Sequence, residues 1–213
     1  MIDEQTDKRR TSFWREMPIL LAVAIVVALL VRAFVLQTFY IPSPSMEHTL
    51  NLNDRVLVNK LVYKFRGPDR GEIVVFKAPS DWRSGAESDD FIKRVIGLPG
   101  DKVQCCDARQ RLMINGVSLD EPYIFNENGV SDPAADKEFE IVVPPDRLWV
   151  MGDHRSESGD SLEHWKTSSD LQVATVPVDS VVGRAFVLFW PFDRATWLTP
   201  PSGYDVIPDP RQP

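Results

Sequence analysis

The chain has 213 residues, with 24 Lys plus Arg against 31 Asp plus Glu and a net charge of -7. That length leaves room for one or two domains and a buried core. The acidic balance excludes nucleic acid as the main partner, because binding phosphates needs a basic surface.

Residues 1–16 are polar and carry Lys8, Arg9, Arg10 and Arg15. Met17 to Phe39, MPILLAVAIVVALLVRAFVLQTF, follows with Arg32 as its only charge. At about 1.5 Å per residue this run is long enough for the roughly 30 Å hydrocarbon core, and Arg32 can snorkel to the interface. It predicts a transmembrane helix over 17–39. A cleaved secretory signal has a shorter apolar region with a small-residue site directly after it. Here the run continues into Tyr40, Ile41 and Pro42, so it reads as a retained anchor. No further Lys or Arg occurs after the run until Arg55. The positive-inside bias then puts the N-terminus in the cytoplasm and everything after Phe39 outside.

IPSPSMEHTL comes next, at residues 41–50. Pro42 and Pro44 fix φ on both sides of Ser43, which predicts an extended or turn segment rather than a helix. From Asn51 to Trp190 the chain alternates short Val-, Ile- and Phe-rich runs with Gly, Pro and Asp, the pattern of a mainly β domain over 40–190. Asn115-Gly116 is a hairpin signal. SDWRSGAESDD (80–90) and NENGVSDPAADK (126–137) read as exposed loops, the second within an inserted β subdomain at about 102–145 that also holds the hairpin. The tail, 191–213, has six prolines and little periodicity, so irregular structure is expected there. Cys105 and Cys106 are adjacent, which suits either reduced thiols or a local bridge, and their spacing is not that of a metal site.

For chemistry, the three histidines each invite a triad: His48 three residues after Ser45, His154 beside Asp153, and His164 in SLEHW. No G-x-S-x-G elbow accompanies them. A lysine serves as base when burial keeps it neutral. Lys93, in DFIKRVIGLPGD, shares a strand face with Phe91 and Val95 while Arg94 points the other way. The ordinary reading of a strand lysine is a snorkelling surface residue, and position and neighbours alone do not decide between the two.

PSPSMEHTL, DRVLVNK, RGEIVVFKAP, FIKRVIGLPGD and MGDHRSESGDS occur in that order after the apolar run. Together they resemble the characteristic segments of bacterial type I signal peptidases, over Ile41 to about Ser161. The resemblance implies a single-pass enzyme of the bacterial cytoplasmic membrane with an extracytoplasmic catalytic domain. Such an enzyme removes signal peptides from secreted preproteins by a Ser/Lys dyad, without metal or cofactor. Its partners would be those signal peptides, membrane lipids and the secretion machinery. Carried over, Ser45 is the nucleophile and Lys93 the general base. Ser43 and the Ser45 backbone N–H bind the oxyanion, and Ser158 orients the lysine. Asp153 and Asp160 brace the site, with Arg94 as partner of Asp153. Phe39, Ile41, Pro42, Met46, Phe91 and Ile92 form the apolar wall that admits small side chains. The chain departs from the family pattern at His48, at Ser156-Glu157 and at Leu162, where an arginine is usual. The alternatives are a self-cleaving Ser/Lys repressor, which would need a DNA-binding segment, and a membrane-anchored, non-catalytic binding or assembly protein, which loss of Ser45 or Lys93 would favour.

Overall fold

The computed structural model describes residues 16–27, 29, 35–83 and 89–210. Two units are compact by themselves, one up to Gln37 and one from Thr38 onward. In the first, residues 16–27 are helical and expose Ile19, Leu20, Leu21, Val23 and Ile25. No helix among the described residues is long and apolar enough to cross a membrane. The expected span 17–39 does not stay helical to its end, because Leu36–Tyr40 forms strand β1. Gln37 and Thr38 interrupt the apolar run there, and Thr, Phe and Tyr suit a pleated backbone. Lys8, Arg9, Arg10, Arg15, Arg32 and positions 28, 30, 31, 33 and 34 lie outside the described residues, as do 84–88 and 211–213.

The remaining strands are β2 (Arg55–Asn59), β3 (Ile73–Lys77), β4 (Asp90–Gly97), β5 (Lys102–Cys105), β6 (Leu112–Ile114), β7 (Val117–Ser118), β8 (Asn126–Glu127), β9 (Val130–Ser131), β10 (Phe139–Val142), β11 (Arg147–Met151), β12 (Val176–Pro177), β13 (Val181–Trp190) and β14 (Thr196–Trp197). The main sheet runs β1-β2-β13-β3-β4-β11-β12, with β14 beside β13. Strand β3 shows why its centre is fully buried. Ile73 and Val75 enter one apolar cluster with Val56, Val58 and Leu188, while Val74 and Phe76 enter another with Val95 and Val150. Each such side chain contributes roughly 1.5–3 kcal/mol by leaving water. Antiparallel pairing sets Val74 opposite Lys93 and Ile73 opposite Arg94, so the register places Lys93 and Arg94 on opposite faces of β4.

Between β4 and its neighbour β11, the chain builds a separate four-stranded sheet, β10-β5-β6-β7, and the small β8–β9 hairpin. Asn115 and Gly116 have φ of 52° and 81°, as the tight turn between β6 and β7 requires. This inserted sheet shares a core with the main one: Val103, Ile114 and Phe139 pack with Ile96, Trp149 and Met151. Cys105 and Cys106 are bonded to each other.

Two expectations about irregular segments need correction. Trp82, in the expected exposed loop, is only 5% exposed. Its ring stacks on His164 and meets Phe76 and Phe91, and its Nε1 donates to the Val173 carbonyl at 2.7 Å. Burying so large a ring with its N–H satisfied outweighs the polar neighbours. The tail is likewise ordered. Strand β14 pairs β13, and Leu198, Tyr204 and Ile207 are buried. Arg70, itself held by Asp101, donates to the carbonyls of Ile207 and Pro208. Tail backbone with no regular neighbour is thus satisfied by an ionised side chain.

Candidate active site

Ser45 sits in a three-residue 3-10 turn, Pro44–Met46, with Ser43 extended before it (φ -125°, ψ 154°) and Pro44 at its start. Proline fits there because its fixed φ is already helical and its missing N–H would have had no partner. The expected extended or turn segment is thus extended at Ser43 and a 3-10 turn at Ser45. The turn also moves Met46: at three residues per turn, successive side chains point about 120° apart, so Ser45 and Met46 diverge. Met46 is fully buried among Ile41, Leu50 and Val58 and does not line the groove, contrary to its expected place in the substrate wall.

From β4 the Lys93 Nζ donates to Ser45 Oγ at 2.5 Å. Lys93 is 4% exposed, and burial lowers the pKa of its amine from 10.5 to about 8 against the opposing pull of Asp160 and Asp153. Ser43 Oγ lies 3.4 Å from Ser45 Oγ. Among the described residues no histidine side chain bonds Ser45. His48 Nδ1 is 3.2 Å from the Tyr123 carbonyl, His154 Nδ1 is 3.1 Å from Glu47, and His164 stacks on Trp82.

Behind the pair, the chain leaving β11 wraps the site. The His154 N–H donates to the Ser45 carbonyl at 3.2 Å. Asp153 is fully buried and takes both Arg94 Nε (2.8 Å) and Nη2 (2.6 Å), with the Thr49 hydroxyl as a third donor at 2.5 Å. Such a bidentate fork fixes the carboxylate as well as neutralising it. Asp160 accepts the N–H of Gly152 (2.9 Å) and of Leu162 (3.0 Å), and caps helix α1 (Ser161–Ser168), which α2 (Leu171–Ala174) follows. Leu162, where a cation was expected, thus contributes its backbone donor and buries its side chain. The segment Asp160-Ser-Leu-Glu163 carries this in sequence, as an N-cap followed by an acid three residues on. Ser158 differs from expectation: its Oγ is buried without any hydrogen-bond partner, so it does not hold Lys93.

Next to Ser45 and Lys93 opens a groove of about 690 Å³ whose apolar lining includes Phe39, Ile41, Pro42, Phe91 and Ile92, with Val75 beside them. Trp82, His164, Glu157 and Glu163 also line it, and sequence reasoning missed all four for this role. Gly152 was missed as well. A Cβ there would stand 2.3 Å from the Ser45 carbonyl oxygen and 2.3 Å from Ser158 Oγ, so only glycine fits.

A serine hydroxyl against a buried amine whose pKa burial lowers, at the side of an apolar cleft in a mainly β fold, has the layout of a serine hydrolase. Comparison gives the family. Residues 14–190 match the family model described as "Signal peptidase, peptidase S26", and the chain belongs to that family. It is 39% identical to the probable signal peptidase I-2 of Synechocystis sp. over 97% of this chain and 88% of that one. It is 40% identical to signal peptidase I of Leptolyngbya laminosa, over 86% and 83% of the two chains. Against signal peptidase I of Mycobacterium tuberculosis the identity is 34%, over 90% and 77%.

Proposed function

We propose that this protein is a serine endopeptidase that cleaves N-terminal signal peptides from exported preproteins, with Ser45 as nucleophile and Lys93 as general base. The contact that carries this reading is the 2.5 Å approach of the buried Lys93 amine to the Ser45 hydroxyl beside an apolar groove. Ser45 Oγ attacks the scissile carbonyl as its proton passes to neutral Lys93. The resulting ammonium then protonates the departing amine. Water, deprotonated by the same lysine, attacks the acyl-enzyme and frees Ser45. The Ser45 N–H lies in the first turn of its 3-10 helix, where backbone donors lack partners within the turn, and with the Ser43 hydroxyl it receives the oxyanion. Asp153, held by Arg94, and Asp160 brace the lysine. The exposed apolar side chains of residues 16–27 favour anchoring in the cytoplasmic membrane, with the N-terminus inside, the catalytic domain outside, and lipids and secretion machinery as neighbours.

The test uses purified full-length protein in detergent and a peptide with an Ala-x-Ala cleavage site. Cleavage after the second alanine is expected, and replacing that alanine by a large aromatic should nearly stop it. Equal rates for both peptides would remove the apolar groove from specificity. On the good peptide, Ser43→Ala should lower kcat by roughly ten- to a thousand-fold with KM little changed, the range for losing one oxyanion donor. An unchanged kcat would leave the oxyanion to backbone donors alone.

A further inference from the structure

We propose that Tyr204, on the C-terminal segment, is a positioning residue of the active site: it braces Arg94, and through Arg94 holds Asp153 behind the Ser45–Lys93 pair. This rests on the dyad reading above and extends it to a part of the chain remote from Lys93 in sequence.

Two contacts link Tyr204 to Arg94. The first is through Gly71, whose φ of +79° suits glycine. The Tyr204 ring lies so close to it that a Cβ on Gly71 would be 2.7 Å from Tyr204 Cδ2. The Gly71 carbonyl in turn accepts Arg94 Nη1 at 2.9 Å. The second is through Tyr123, whose ring lies 4.0 Å beneath the Arg94 guanidinium and nearly parallel to Tyr204, at 13°. Proton accounting orients this contact. Tyr123 gives its only hydroxyl proton to Glu121 at 2.6 Å, so the 2.5 Å bond between the two tyrosines is donated by Tyr204. The Glu121 side chain is buried and paired with Arg155, whose Nε donates to the Gly152 carbonyl at 3.0 Å. Tyr204 therefore abuts both the glycine whose carbonyl and the tyrosine whose ring hold the guanidinium, while Arg70 clamps the chain just after it at Ile207 and Pro208.

A consequence for Lys93 follows. Its titratable surroundings are Asp153 and Asp160 from the segment after β11, Asp90 on its own strand, and Glu157, Glu163 and His164 along the groove. Of these, Asp153 is the one gripped by Arg94. Loosening that grip leaves the carboxylate less neutralised, which favours the lysine ammonium and makes the base harder to deprotonate.

The experiment is steady-state kinetics of the full chain in detergent on one Ala-x-Ala peptide, over a pH series from about 6 to about 10, for wild type, Tyr204→Phe, Tyr204→Leu, Tyr204→Ala and Lys93→Ala. Rates are normalised to the folded fraction by circular dichroism. Tyr204→Ala and Tyr204→Leu are expected to move the acidic limb of kcat/KM up by about half a pH unit or more, and to lower kcat near neutrality about ten-fold with KM within about two-fold. Tyr204→Phe, which keeps the ring against Gly71 and Tyr123, should restore most of the rate. A purely structural tyrosine would lower thermal stability without moving the limb. Acidic limbs of folded Tyr204→Leu and wild type that superimpose, with Lys93→Ala inactive, overturn the positioning role alone. Turnover by Lys93→Ala overturns the dyad reading and this inference with it.

Discussion

Ser45→Ala and Lys93→Arg are each expected to lower peptide cleavage about a thousand-fold or more while the protein stays folded. Alanine removes the attacking oxygen from a small buried site and leaves the backbone donors in place. Arginine fails for a different reason: its guanidinium stays protonated at any working pH and cannot take the serine proton. The wild-type pH profile follows from the same chemistry. Burial holds Lys93 near a pKa of about 8, and only its neutral form is a base. In the free enzyme kcat/KM should therefore be low below that value, where the ammonium dominates, and rise as pH climbs through it. Kinetics on one peptide, with thermal melts as a folding control, check both variants. Appreciable turnover by Lys93→Arg would take the lysine out of the base role.

Much of the β architecture is legible because strands such as GEIVVFKAP and FIKRVIG alternate or run apolar between Gly, Pro and Asp, and the face assignment of Lys93 against Arg94 follows from a period of two. Its catalytic standing does not follow from that. A lysine among Phe91, Ile92 and Val95 is also an ordinary snorkelling residue, and only the resemblance favoured the base. Position along the chain misled in three places. Trp82 lies among polar residues, so its neighbours suggested a loop although its own ring area demands burial. Tyr204 lies in a proline-rich tail without periodicity, and its partners Tyr123 and Gly71 are distant in sequence. Met46 is adjacent to the nucleophile, and adjacency says nothing of direction until the 3-10 turn is known.

The second large effect is expected at Gly152, where substitution by alanine should lower kcat about a hundred-fold with a smaller change in KM. The added Cβ would meet the Ser45 carbonyl oxygen and Ser158 Oγ at 2.3 Å each, distances that real atoms do not hold. Gly152 has little freedom to retreat. Its N–H is bonded to buried Asp160 and its carbonyl to Arg155. The Ser158 hydroxyl has no partner and can rotate away at small cost, and its Cβ, 2.6 Å from the added atom, belongs to a half-exposed loop, whereas the Ser45 carbonyl belongs to the turn that aims the nucleophile and is also held by the His154 N–H. Strain therefore passes to Ser45, and a displacement near 1 Å suffices for a loss of this order. A double variant separates the two clashes. Gly152→Ala combined with Ser158→Gly removes both contacts with Ser158, at Oγ and at Cβ, and leaves the one with the Ser45 carbonyl, so if the carbonyl contact dominates, the second change should restore little. Recovery of most of the rate in the double variant would instead place the clash at Ser158 and leave the Ser45 turn undisturbed.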